Sequence, residues 1–193
     1  MLRDHLQNVA HLAKQFAQPL GLAREAELAG LLHDLGKYAD RFQARLRDNS
    51  IRGINHWAAG TAHAIALKAW AVALASDGHH TGIPALNSSE SGRSLRQTKG
   101  MFVDANSRLE LTGNCREDLQ ELLARFAKDG LQLPPFDPTR IEDKFAEALR
   151  ARMLFSCLVD ADRLDTERHF DATKSCQRLT TRLQAKNALE VLL

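Results

Sequence analysis

Apolar residues recur at helical spacing through most of this chain. Leu6 and Val9 lie on one face of a helix predicted over residues 4–17, and Pro19 follows it. Similar patterns predict further helices over 23–33, 38–47, 56–76, 116–129, 139 to about 164, and from Asp171 to the end of the sequence. Thr139 and Glu142 have the spacing of a capping box. Because strand signals are scarce, the pattern predicts an all-α fold.

Two segments interrupt the helical pattern. Residues 87–107 are polar and rich in Ser and Gly, and they predict a long loop. A loop of this length in a compact domain is either functional or disordered. The stretch LPPFDP at 133–138 predicts a second, shorter and stiffer connection. We therefore expect a single domain over residues 1–193, a helical bundle with a long polar loop at about 87–107.

The composition excludes several classes of protein. With 44% hydrophobic and 26% charged residues, the chain is typical of a globular domain. It contains no run of about 18 apolar residues, so no transmembrane helix and no membrane partner are expected. The three cysteines are widely spaced and form no CxxC pair, which argues against a disulfide framework or a thiolate zinc site and favours a cytoplasmic location. A net charge of +2 permits a polyanionic partner without indicating one.

Histidine and aspartate residues recur where the predicted helices begin and end. The candidates are His5, the His33–Asp34 doublet, His56 and His63, the His79–His80 doublet, and Asp160 and Asp162. On one helix, His56 and His63 would lie roughly 10 Å apart along the axis, so they would not share an ion. Asp160 and Asp162 would point about 200° apart, so at most one faces a given site. His11 and His169 are single histidines and are expected to be ordinary surface or packed residues.

Together these side chains are typical of a metal centre. Buried ionisable groups need partners or ions to offset their desolvation. Mixed imidazole and carboxylate donors suit Mn, Fe, Co, Ni or Zn better than Mg. Six or seven donors are too many for one tetrahedral ion, and they predict two divalent ions bridged by Asp34. Two such ions favour phosphoryl displacement by a metal-activated water. The absence of GxSxG and GxxxxGK[ST] sequences argues against a serine hydrolase of the elbow type and a P-loop ATPase.

The order of these motifs resembles the HD phosphohydrolase superfamily. The pieces are His5, HDLGK at 33–37, NHWAAGTAH at 55–63, GHHTGIP at 78–84 and SCLVDADRLDTE at 156–167. With YADRFQARL at 38–46, they resemble more closely the HD nuclease domain of the type I CRISPR-associated helicase-nuclease. The resemblance extends from residue 5 to about 167 and implies an all-α HD-domain bundle.

The resemblance also implies roles for individual residues. One ion would be held by His5, His33, Asp34 and a late aspartate, and the other by Asp34, His56, His79 and His80. The closing motif favours Asp162 as the late aspartate, with Asp160 as the alternative. Lys37 would stabilise the scissile phosphate or the developing charge, although a lysine at a helix end is also a common surface residue. Asn55 stands where the family usually has an Asp that could orient His56.

The implied activity is metal-dependent cleavage of single-stranded DNA in CRISPR interference. The metals would be Mn, Ni, Co or Fe rather than Mg or Zn. The implied partners are a superfamily 2 helicase, fused or separate, and the CRISPR RNA-guided surveillance complex, with this chain as a separate subunit or a fragment. Arg93, Arg96 and Lys99 in the polar loop are expected to contact the DNA backbone. Two alternatives are an HD-type nucleotide or cyclic-dinucleotide phosphohydrolase and a non-catalytic helical binding module.

Overall fold

The computed structural model describes residues 1–52, 54–83, 108–111, 115–138 and 143–178. These residues are mainly helical, which confirms the predicted all-α class. The helices are α1 (Leu2–Ala17), α2 (Ala23–Leu32), α3 (Asp40–Arg45), α4 (Ala58–Ala66), α5 (Trp70–Gly78), α6 (Leu119–Lys128), α7 (Lys144–Phe170) and α8 (Ala172–Gln177). Two 3-10 turns cover Gln18–Leu20 and Leu35–Tyr38. A short antiparallel hairpin of β1 (Arg108–Leu111) and β2 (Cys115–Asp118) precedes α6.

The helix predicted over 56–76 is in fact two helices. The break falls after α4, where Lys68 has a φ of 59°. This left-handed conformation is rare for a residue with a side chain, and an α-helix cannot continue through it. Helix α4 also begins only at Ala58, so His56 lies before it, and the predicted axial distance between His56 and His63 along one helix does not apply.

Other boundaries also differ from the sequence prediction. Residues 116–118 pair with β1 instead of opening a helix, because the apolar stripe of α6, with Leu122 and Phe126 buried, begins only at Leu119. Helix α7 begins at Lys144, after Asp143 accepts a hydrogen bond from the Phe145 N–H at 2.8 Å. The proposed capping box at 139–142 and the predicted loop at 87–107 lie outside the described residues.

The core lies between α1, α2, α5 and α7. Its largest fully buried side chains are leucines, among them Leu6, Leu28, Leu32, Leu154 and Leu158. Small residues elsewhere let the helices approach closely. A Cβ at Gly30 would lie 2.4 Å from Ala10 Cα, and one at Gly60 would lie 1.8 Å from the Leu32 carbonyl oxygen. The C-terminal end of α2 is therefore enclosed by its neighbours.

Helix α7 has 27 residues and packs against α1, α2 and α5. Its charged residues lie on both sides of an uncharged stretch at 153–159, and its buried positions form a narrow stripe. Across the part of the chain described here, no helix combines the length and apolar character that a membrane crossing requires.

Candidate metal centre

The His33–Asp34 doublet lies where the chain leaves α2 in the middle of the core. Helix α2 ends at Leu32, and the backbone at Asp34 is no longer helical. Both side chains are buried, with relative exposures of 0% and 1%. The next turn is held to the chain before α4, because the Gly36 N–H donates to the His56 carbonyl oxygen at 2.9 Å. Gly36, the glycine of HDLGK, thus allows the backbone of the 3-10 turn to contact the backbone of the segment before α4.

Two buried histidines, His33 and His79, each have an unpaired ring nitrogen close to Asp34. His33 Nδ1 donates to the Gly30 carbonyl at 2.8 Å, and His79 Nδ1 donates to the Ser76 carbonyl at 2.7 Å. With the hydrogen on Nδ1, a neutral ring offers a lone pair at Nε2. Both Nε2 atoms are buried without a hydrogen-bond partner among the described residues. Unpaired buried polar atoms are costly, and a metal ion would satisfy them.

Asp34 stands at the centre of the cluster. Its Oδ1 lies 3.3 Å from His56 Nε2 and 3.7 Å from His79 Nε2. Its Oδ2 lies 3.4 Å from His5 Nε2 and 3.2 Å from His33 Nε2. The donor sets with metal-binding geometry are Asp34, His56, His79 and His80; His5, His33 and Asp34; and His33, His79 and Asp162. Each oxygen of Asp34 therefore faces a different group of imidazoles, as a bridging carboxylate would.

Helix α7 brings Asp162 to the cluster and leaves Asp160 outside it. Asp162 Oδ1 lies 3.4 Å from His5 Nε2 and 3.9 Å from His33 Nε2. Asp160 is exposed and belongs to none of the donor sets formed by the described residues. The two aspartates point to different sides of α7, so its orientation in the bundle decides between them.

Lys37 lies at the edge of the cluster. The 3-10 turn brings its Nζ to 2.5 Å from Asp34 Oδ2 and to 5.9 Å from the centre of the Phe42 ring. The side chain is partly exposed. Its ammonium group can therefore reach a bound anion while it stays close to Asp34.

The protonation states suit metal binding, with one exception. Burial lowers the pKa of His56 to about 3 and that of His80 to about 4. Burial opposes ionisation of Asp34, yet its electrostatic interactions with His33 and the other surrounding imidazoles hold its pKa well below the usual range. His5 is the exception. Burial lowers its pKa, but hydrogen bonds to Asp162, Asp34 and Asp165 outweigh burial and raise it to about 10. An ion at His5 must displace a proton.

Asp165 and Asn8 were missed by the sequence prediction. Asp165 is 6% exposed, and its Oδ2 accepts a hydrogen bond from His5 Nδ1 at 2.7 Å. Its Oδ1 accepts from Asn8 Nδ2 at 2.9 Å. The sequence does contain a signal for Asp165. The buried residues of α7 at 151, 154, 158 and 161 have helical spacing, and position 165 continues that spacing. A carboxylate on an apolar stripe indicates a buried partner.

Asn55 takes a different role from the Asp of the family pattern. Its side-chain oxygen accepts a hydrogen bond from the Ala58 N–H at 2.9 Å, at the start of α4. His56 Nδ1 is buried without a hydrogen-bond partner among the described residues. The ring of His56 instead packs edge-on against Phe42 and Trp57, with centroids 5.1 and 5.3 Å away. Aromatic packing and the contact of its Nε2 with His80 Nε2 at 2.7 Å, rather than a hydrogen bond from Asn55, hold this ring in place.

The remaining candidates do not join the cluster. His63 lies on α4, partly buried, and His11 contacts Gln15 on the surface of α1 at 3.0 Å. His169 is exposed beside Phe170 near the end of α7. The proposed DNA contacts Arg93, Arg96 and Lys99 lie outside the described residues.

Comparison with known families identifies a match over much of the chain. The HD domain family matches residues 2–126, which is more than half of the chain. This part contains His5, His33, Asp34, His56, His79 and His80, and it ends before α7 with Asp162 and Asp165. No curated protein matches the chain. HD domains are generally metal-dependent phosphohydrolases, and the clustered histidines and aspartates are compatible with divalent metal binding. The chain belongs to the HD-domain family.

Proposed function

We propose that this protein is a metal-dependent phosphodiesterase that cleaves single-stranded DNA in CRISPR interference. The observation that carries the proposal is the convergence of unpaired imidazole nitrogens on both oxygens of the buried Asp34. We assign one ion to His5, His33, Asp34 and Asp162, and the other to Asp34, His56, His79 and His80. The imidazole-rich donor set favours Mn, Fe, Co or Ni over Mg.

Different side chains of the site would bind the ions and stabilise the charge of the substrate. Ions in such a site polarise phosphoryl oxygens and lower the pKa of a bound water. Asp34, ionised and buried, contributes one oxygen to each donor set. His33 and His79 are fixed in orientation by their main-chain hydrogen bonds, so little reorganisation is needed when a substrate arrives. Lys37, at the rim, places a positive charge where the scissile phosphate would lie.

The shape of the cleft favours a polymer over a small nucleotide. The cluster opens into a cleft of about 1290 Å³, beyond the 300–1,000 Å³ that is common for small-molecule pockets. Arg163 and Arg168 line it, together with Phe170, whose side chain is 81% exposed. Basic groups contact phosphates, and an exposed aromatic ring stacks on an unpaired base for about 1–3 kcal/mol. These features support single-stranded DNA as the substrate class.

A cleavage assay tests the proposal. The metal-free protein is incubated with Mn²⁺ or Ni²⁺ and circular single-stranded DNA, with a matched double-stranded circle and a cyclic dinucleotide in parallel. We expect metal-dependent degradation of the single-stranded circle. Asp34→Asn should abolish it, because the central carboxylate is lost at nearly constant volume. Asp160→Asn, an exposed change on α7, is the matched control and should leave cutting unchanged.

Each alternative outcome has a clear meaning. Cutting without added metal, or equal cutting by the Asp34→Asn variant, would refute the proposal. Turnover of the cyclic dinucleotide without DNA cleavage would assign the site to a small-molecule phosphohydrolase. Metal binding with no turnover of either substrate would favour a binding module. The proposed partners are a superfamily 2 helicase and an RNA-guided surveillance complex. Without them the chain should leave a guide-matched duplex intact, and with them it should cut that duplex.

A further inference from the structure

Three histidines of the cluster share one arrangement, with Nδ1 bonded to the protein and Nε2 turned toward the centre. In His33 and His79 the acceptor is a main-chain carbonyl of the same helical turn. In His5 the acceptor is a side chain from another helix, Asp165 Oδ2, at 2.7 Å. His5 is thus the one of these three whose orientation depends on a residue distant in sequence.

Asp165 is itself fixed in place. Its carboxylate is almost fully buried on α7, and its second oxygen accepts a hydrogen bond from Asn8 Nδ2 at 2.9 Å. His5 and Asn8 lie three residues apart on α1, and Asp162 and Asp165 lie three apart on α7, so each pair shares a helix face. The His5 ring lies between the two aspartates, with Nδ1 toward Asp165 and Nε2 3.4 Å from Asp162 Oδ1.

We propose that Asp165, oriented by Asn8, is a positioning residue that fixes His5 for metal binding. A carboxylate can only accept, so Nδ1 must carry the hydrogen and Nε2 is the nitrogen left to bind an ion. Asp165 acts through His5 and does not bind the ion itself. The inference rests on the proposed metal centre and adds to it a pair of residues that lie on the side of His5 away from the ion.

The first test is Asp165→Asn with Mn²⁺ binding measured by calorimetry on the metal-free protein. With the Asn8 NH₂ group still donating to the oxygen at position 165, the new amide turns its own NH₂ group toward His5 Nδ1. The ring hydrogen then moves to Nε2, where it blocks the ion. We expect one ion to bind roughly 10- to 100-fold more weakly, a loss typical of such supporting groups. The ion at His56, His79 and His80 should keep its affinity, and Asp160→Asn, an exposed control, should change neither.

The second test exchanges the two groups. In the double variant Asn8→Asp/Asp165→Asn, the carboxylate at position 8 accepts from the amide at position 165. That amide then turns its oxygen toward His5 Nδ1, which restores the original hydrogen on the ring. We expect most of the lost affinity to return. A purely structural role for the buried carboxylate would give no such recovery, because the single and double variants carry the same amide at position 165.

The outcomes separate this inference from the function on which it rests. If the wild-type protein binds neither Mn²⁺ nor Zn²⁺, the proposed function fails and the inference fails with it. If the wild-type protein binds metal and Asp165→Asn binds it equally well, the inference alone is overturned, as it is when a folded double variant shows no recovery. Nitrogen NMR of the Zn²⁺-loaded wild-type protein needs no variant. A hydrogen on His5 Nδ1 with metal at Nε2 supports the inference. A hydrogen on Nε2 with metal at Nδ1 overturns it.

Discussion

Replacing Gly36 by alanine should damage both the fold and the metal centre. A Cβ at this position would lie 2.4 Å from the His56 carbonyl oxygen and 2.8 Å from His56 Cα. Ordinary contact begins at 3.4 Å, so the turn that carries Asp34 and the segment that carries His56 must separate by about 1 Å. The neighbouring atoms are backbone, so no side-chain rotation relieves the overlap.

The magnitude follows from two losses. The Gly36 N–H to His56 carbonyl bond, 2.9 Å long, would break, at a net cost of about 0.5–1.5 kcal/mol. Overpacking of a closed interior adds about 1–3 kcal/mol. We therefore expect the free energy of unfolding of the metal-free protein to fall by about 1.5–4.5 kcal/mol. The 3.3 Å separation of His56 Nε2 and Asp34 Oδ1 would also change, beyond the roughly 0.5 Å that functional sites tolerate.

Urea unfolding of the metal-free protein and calorimetry with Mn²⁺ measure the two effects. Gly21→Ala is the matched control, since Gly21 has a φ of 70° and no atom within 4 Å of its Cβ position. It should cost about 1–2 kcal/mol through backbone strain alone and leave metal binding unchanged. The reasoning is refuted if Gly36→Ala is no less stable than Gly21→Ala and binds Mn²⁺ as the wild-type protein does.

Three further changes test other features. Between pH 6.5 and 5.5 the metal-free protein should lose about 1 kcal/mol of stability through His56, because its folded pKa of about 3 keeps it neutral while the unfolded chain takes up a proton. Urea unfolding against pH checks this, and an equal slope in His56→Gln would contradict it. At pH 8, metal binding should release about one proton from His5, whose pKa is about 10. Calorimetry in buffers of different ionisation enthalpy measures the release, and an unchanged count in His5→Ala would argue against it. Leu158→Ala should lower the stability by about 2–5 kcal/mol, because Leu158 is fully buried; a loss near zero by urea unfolding would show that the core can collapse around the gap.

The sequence predicted the helical class and the cluster because both leave local signals. Ionisable residues in apolar stretches, such as His33 and Asp34, are unusual enough to indicate a site. Helical geometry could also show that Asp160 and Asp162 do not face the same way. It could not choose between them, because the choice depends on how α7 is rotated against α1, which is a tertiary contact.

The errors in the predicted secondary structure also arise from tertiary contacts. The Ala-rich stretch over 56–76 favours a helix at every position, so propensity alone does not reveal the left-handed turn at Lys68. That turn lets α5 fold back against α4, and packing between the two helices overrides local preference. The hairpin before α6 was missed because the pairing of residues 108 and 118 is visible only once both strands are in place.

The hydrogen bond between His5 and Asp165 joins residues 160 positions apart, one on the first helix and the other on α7. An ion shared by His5 and Asp162 would therefore act as a reversible crosslink between distant parts of the chain. Because the two residues come together only in the folded chain, such an ion would bind the native state and not the unfolded ensemble. By mass action, an ion at 100 times its dissociation constant would add about 2.7 kcal/mol to the free energy of unfolding. Metal supply would then change the fraction of the chain that is folded as well as the occupancy of the site.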